Sequence, residues 1–125
     1  MRVLIAEDNT ENLDMLRRRL ERRGYAVFAA ADGQQAIEQT LALKPDIVLM
    51  DVSMPVLSGL EATRAIRQNA DVSKTPIVAL TAHAMDGDRA RCLEAGCDAY
   101  ATKPVDLPGL IATMERLVPG AAQVA

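Results

Sequence analysis

The sequence predicts a doubly wound α/β domain on one five-stranded parallel sheet. The runs Val3-Leu4-Ile5-Ala6, Ile47-Val48-Leu49-Met50 and Ile77-Val78-Ala79-Leu80 are short, continuous, apolar and rich in β-branched residues. Strands buried on both faces read this way. Segments of helical period separate the strand candidates, and strict β-α alternation five times over implies right-handed crossovers with helices on both sheet faces.

In chain order, a first helix places Leu13, Leu16 and Leu20 on one face, with Asn9 or Thr10 as cap and Gly24 as stop. Residues 25–30 and 98–101 are less uniformly apolar, which suits edge strands. Ala36, Ile37, Thr40 and Leu41 form a second helical stripe, opened by Asp32 and closed before Pro45. A third helix, over about 59–69, carries Leu60, Thr63 and Ile66. A fourth, over about 85–95, is weakened in its first turns by Asp86, Gly87 and Asp88 and stopped by Gly96. Leu110, Ile111, Met114 and Leu117 mark a fifth, with Asp106 as cap and Pro108 in its first turn.

A length of 125 residues with 50% hydrophobic content supports one domain with a full core, here 1–118, leaving 119–125 as a short C-terminal tail. With 17 acidic and 14 basic residues the net charge is -3, so no general field draws the chain to nucleic acid or an anionic membrane. No apolar run approaches the roughly 20 residues of a membrane span and no signal peptide is present, which places the chain in the cytoplasm. Met1 directly before the first strand favours a free-standing chain. Cys92 and Cys97 read as small core residues, with neither metal nor disulfide. A Gly-x-Gly-x-x-Gly turn and a P-loop are both absent, which argues against dinucleotide and nucleoside-triphosphate folds.

In an open parallel sheet, ligands sit beyond the carboxyl ends of the strands. Glu7 and Asp8 follow strand one, Asp51 ends strand three, Thr81 ends strand four and Lys103 follows strand five. Carboxylates meeting at one edge repel, by about 4 kcal/mol for a pair about 4 Å apart at an effective dielectric near 20, unless their pKa values rise or a cation joins them. Mg²⁺ is the better candidate, since it takes hard oxygen ligands and commonly binds one or two carboxylates plus phosphate. An aspartate, a lysine, a hydroxyl and Mg²⁺ together suit phosphoryl transfer to a carboxylate. Singly, each residue has a plainer reading: a helix cap for Glu7 and Asp8, a turn toward Pro55 for Asp51, a strand end for Thr81, a solvated charge for Lys103. Their joint placement at the strand ends favours the functional reading.

Glu7-Asp8-Asn9, Asp51-Val-Ser-Met-Pro55 with Gly59, Leu80-Thr81-Ala82 and Lys103-Pro104, in this order and spacing, make the chain resemble the response-regulator receiver domains of two-component signalling from Val3 to about Val118. That resemblance implies a flavodoxin-like (βα)5 sheet of order 2-1-3-4-5 and a phosphorylation-dependent switch that is not an enzyme on a separate metabolite. It implies Asp51 as phosphoacceptor. Mg²⁺ would be held by Asp8, Asp51 and the Ser53 backbone carbonyl, with Glu7 acting through water. Thr81, the Ala82 backbone and Lys103 would contact phosphate, Thr81 and Tyr100 would act as switch residues, and Pro104 would follow a cis peptide bond. Ser53 and His83 would border the phosphoryl position, His83 reading equally well as an exposed loop residue.

The implied partners are a histidine kinase or histidine phosphotransfer protein and a downstream protein, with no nucleic acid and no membrane. The stretch Ala82-His83-Ala84-Met85 with Gly87-Asp88-Arg89, then Glu94-Ala95-Gly96-Cys97-Asp98, is especially similar to receivers of hybrid histidine kinases and to some single-domain regulators. The basic run from Arg17 to Arg23 reads as a solvated helix face or, as the resemblance implies for this helix, a docking surface that steers an acidic partner.

Three other classes compete. An aspartyl phosphatase expects a second acid two residues after Asp51, where Ser53 stands, and a flavin carrier expects more aromatic residues than Tyr25, Phe28 and Tyr100. A receiver-shaped scaffold that is never phosphorylated would lack one of the site residues.

Overall fold

The computed structural model describes residues 1–82 and 86–119, with the side chains of 86–88 excepted. Five strands and five helices alternate: β1 (Arg2–Ala6), α1 (Thr10–Arg22), β2 (Ala26–Ala30), α2 (Gly33–Leu43), β3 (Ile47–Asp51), α3 (Gly59–Gln68), β4 (Ile77–Thr81), α4 (Asp86–Ala95), β5 (Ala99–Thr102) and α5 (Leu107–Leu117). All strands pair parallel in the order 2-1-3-4-5, so β2 and β5 lie at the edges. His83, Met85 as a helix start and the tail beyond Pro119 lie outside the described residues. No helix among the described residues is long and apolar enough to cross a membrane.

The three uniformly apolar runs form the central strands, because only there is every side chain covered. Leu4, Ala6, Val48, Met50, Ile77 and Ala79 pack under α2, α3 and α4. Their alternates Val3, Ile5, Ile47, Leu49, Val78 and Leu80 pack under α1 and α5. This two-residue alternation fixes which face each strand-end residue inherits.

Local signals end the helices where polar side chains replace lost backbone partners. Asn9 accepts from the Asn12 amide and Asp32 from the Gln35 amide, capping α1 and α2. Ser58 and Glu61 form a reciprocal capping box on α3. Asp106 occupies the cap position of α5 but makes no side-chain cap hydrogen bond. Several strand bounds differ by one residue from the sequence expectation, β1 starting at Arg2 and β5 running on to Thr102. The Tyr25 amide donates to Leu20 at the end of α1, so β2 starts at Ala26. The Asp98 carboxylate accepts from the Ile77 amide at 2.8 Å instead of continuing β5. Both cysteines are buried thiols outside any disulfide, and burial pushes the Cys97 thiol up to about 11.

Arg67 on α3 joins segments distant in sequence. Its guanidinium donates to the carbonyls of Gly96 (2.8 Å), Ser73 (3.1 Å) and Thr75 (2.7 Å) and to Asp98 Oδ2 (2.8 Å). The Asp98 side chain is 40% exposed, so solvent screening leaves that ion pair worth little, and the three carbonyl bonds dominate. Arg67→Ala is expected to cost about 3 kcal/mol in urea unfolding. Arg67→Lys should recover less than half, because an ammonium lacks the planar fork that reaches several acceptors at once.

Candidate functional site

Parallel pairing brings every strand's carboxyl end to one edge of the sheet, and the alternation of side chains sorts what gathers there. Glu7, Asp51 and Lys103 continue the parity of the α1/α5 face, whereas Thr81 and Tyr100 share the parity of the face under α2, α3 and α4. Glu7 and Asp51 are each 4% exposed. Oxygens of Glu7, Asp8 and Asp51 lie within 4.8 Å of one another.

Hydrogen bonds between strand ends hold the edge together. The Lys103 amide donates to the Thr81 carbonyl at 2.7 Å, and the Val52 amide to Leu80 at 3.0 Å. The Ser53 amide donates to Asp51 Oδ1 at 3.1 Å. From there the loop returns to α3 through a left-handed step at Val56 (φ 69°), costly for a β-branched residue by about 1–2 kcal/mol. The Gly59 amide closes it on the Val52 carbonyl. The Lys103–Pro104 peptide bond is cis.

Lys103 bridges two acids. Its Nζ lies 2.7 Å from Glu7 Oε1 and 3.2 Å from Asp51 Oδ2, so its shorter contact is with Glu7 and not with the expected phosphoacceptor. Burial alone would lower the lysine's pKa, but the hydrogen bond to Glu7 and the charge of Asp51 outweigh it and hold the ammonium above its ordinary value. Glu7 is raised instead, first by burial and then by the Asp51 carboxyl beside it, against the pull of Lys103.

One ammonium stands against three carboxyl groups, and among the described residues buried Glu7 Oε2 has no hydrogen-bond partner. An orphaned oxygen, a surplus of negative charge and an all-oxygen donor set fit a hard divalent cation or a water that it binds. The plainer reading of Glu7 and Asp8 as helix caps fails here, since Asn9 caps α1.

Thr81 is buried at the end of β4. Tyr100 is half-buried on the edge strand, opposite Ala79 and two residues before the partner of Thr81, Thr102. The Ala82 side chain is exposed, and so is Ser53. Sequence reading placed Arg89 only within the stretch similar to hybrid-kinase receivers and gave it no role; its guanidinium lies 5.7 Å from the centre of the Tyr100 ring, and no spacing rule links a helix residue to a strand residue eleven positions on.

Residues 3–115 match the family model of the response regulator receiver domain. The chain belongs to that family. Its fold and its place in two-component signalling, as a phosphorylatable switch, follow from that membership.

This receiver is 45% identical over 112 residues to hybrid signal transduction histidine kinase I of Dictyostelium discoideum, covering 84% of this chain but 6% of that protein. It is 36% identical over 113 residues to the polar-differentiation response regulator DivK of Brucella anthropi, covering 90% of this chain and 92% of DivK. Among solved structures, the receiver domain of sensor histidine kinase PA1611 from Pseudomonas aeruginosa, with a magnesium ion coordinated in its active-site cleft, matches with TM-score 0.87 and 39% identity over 94% of this chain and 96% of that one. A chain in the co-crystal structure of the Saccharomyces cerevisiae phosphotransfer protein Ypd1 with the receiver domain of Ssk1 matches with TM-score 0.90 and 31% identity, covering 99% and 92%.

Proposed function

We propose that this receiver takes a phosphoryl group from a phosphohistidine onto Asp51, in the presence of Mg²⁺, and changes conformation at Thr81 and Tyr100 to alter what it binds. The reading is carried by the gathering of Glu7, Asp8 and Asp51 oxygens within 4.8 Å, with Lys103 as the half-buried cation between two of them. Asp8, Asp51 and the Ser53 carbonyl would hold a magnesium ion, with Glu7 acting through water, and the ion would supply positive charge to the phosphoryl transfer.

The chain's own residues do the rest. An Asp51 oxygen attacks phosphorus as the histidine N–P bond breaks, and the imidazole leaves and takes up a proton. The Ser53 amide, 3.1 Å from Asp51 Oδ1, orients the carboxylate. Lys103, already 3.2 Å from Asp51 Oδ2, transfers its contact to the new phosphoryl oxygens. Thr81 then donates its hydroxyl to the phosphoryl group, as does the Ala82 amide, and Tyr100 turns toward the space the threonine leaves. The chain acts on itself and on no separate metabolite.

Mass spectrometry after incubation with Mg²⁺ and phosphoramidate tests this. A gain of one phosphoryl group that disappears with chelator is expected; no gain, or a gain unaffected by chelator, would overturn the reading.

The phosphoryl donor is a histidine kinase or a histidine phosphotransfer protein, and the relatives from a hybrid kinase and from a complex with Ypd1 support that class. A cavity of about 250 Å³ beside Lys103, walled by Met15, Leu16, Val105 and Leu107, offers an apolar seat for a partner helix. Arg18 and Arg22, exposed one turn apart on α1, line a neighbouring groove that shares Met15 and Arg19 with this cavity. Arg18→Glu with Arg22→Glu is expected to slow phosphotransfer from phosphorylated Ypd1 about tenfold at low salt and far less at high salt, while labelling by phosphoramidate stays unchanged.

A further inference from the structure

We infer that Arg89 is a positioning residue that holds Tyr100 in its unphosphorylated arrangement and so acts as a brake on the switch. The inference rests on the proposed pairing of Thr81 with Tyr100 and adds a residue to it.

Tyr100 lies on the edge strand β5, so β4 is its only strand neighbour, and its side chain packs against the core cluster under α2, α3 and α4. Among the described residues its ring is covered by the guanidinium of Arg89 from α4, 5.7 Å from the ring centre, and no hydrogen bond holds its hydroxyl. Arg89 is exposed, and among the described residues it has no carboxylate partner. Among the described residues its one specific contact is therefore the ring. A guanidinium on an aromatic face is attracted by the ring quadrupole, and the attraction falls away when the ring turns out from under it.

The two groups belong to different elements, a helix and a strand, so the contact depends on where the ring points. When Thr81 engages a phosphoryl group and Tyr100 turns after it, the ring leaves Arg89. The unphosphorylated state is thus favoured by an exposed cation–π contact, enough to shift a two-state equilibrium about two- to fivefold. A ligand that selects the turned state meets that factor as reduced apparent affinity.

Beryllofluoride with Mg²⁺, read by fluorine NMR of the bound anion on the whole chain, measures it. Arg89→Ala is expected to reach half-saturation at a two- to fivefold lower beryllofluoride concentration, with Arg89→Lys in between, since lysine keeps the charge without the planar stack. In a Tyr100→Leu background the Arg89→Ala shift should vanish, because no ring remains to be held. The chain has no tryptophan and two tyrosines, so in a Tyr25→Phe background tyrosine emission reports Tyr100 alone and should shift at the same concentrations. An unchanged half-saturation in Arg89→Ala, or an equal shift in the Tyr100→Leu background, would overturn the inference and leave the phosphorylation reading standing. Failure of the parent protein to bind beryllofluoride would overturn both.

Discussion

Asp51→Asn is expected to abolish the Mg²⁺-dependent mass gain from phosphoramidate completely while leaving the fold intact. Asparagine keeps the size of the side chain and an oxygen that still accepts from the Ser53 amide, so the loop after β3 keeps its anchor. The change also removes one of three carboxylates packed within 4.8 Å, which relieves repulsion as it weakens the contact with Lys103. These effects oppose each other, and the unfolding free energy should move by about 1 kcal/mol or less in either direction. Retained stability makes the lost phosphorylation a statement about chemistry. A phosphoryl group still gained by Asp51→Asn would place the acceptor elsewhere.

Gly59→Ala is expected to damage both stability and phosphorylation. A Cβ at this position would overlap the backbone carbonyl oxygen of Asp51 and stand 2.8 Å from its carbonyl carbon and 2.9 Å from Met50 Cγ. Neither obstacle can step aside: Asp51 ends a central strand, and Met50 is 1% exposed in the core. Overpacking against backbone costs about 3 kcal/mol, which lowers the melting temperature of a domain this size by roughly 10 °C. Relaxation must push α3 away from β3 and drag the loop that carries Ser53, so the initial rate of labelling should fall as well. Gly109→Ala provides the contrast. There the added carbon meets Asp106 Oδ2, 2.6 Å away at the tip of an exposed side chain that rotates freely, and alanine favours the helix. That variant should be neutral or more stable by up to about 1 kcal/mol.

Much of this was legible in the residues because the signals are local. A strand buried on both faces needs four or five consecutive apolar residues, and β1, β3 and β4 have them. Asn9 and Asp32 announce helix starts because a short side chain reaches an amide three residues on. The acids after β1 and β3 and the lysine after β5 were readable as one site because parallel strands deliver their ends to one edge. The Arg67 network was not legible, since its acceptors lie 6 to 31 residues away and a lone arginine in a helix reads as a solvated charge.

The sequence by itself determined the alternation of elements, the central and edge strands, and which residue types reach the carboxyl edge of the sheet. Hydrophobic period and capping act over a few residues, so their reading needs no third dimension. Tertiary structure alone decided how those groups are apportioned. It gave Lys103 a shorter contact with Glu7 than with Asp51, left Glu7 Oε2 buried without a partner among the described residues, and set Arg89 over Tyr100. Distances of a few tenths of an ångström between side chains from separate strands and helices depend on register, packing and the competition among all neighbours at once. No local pattern encodes them.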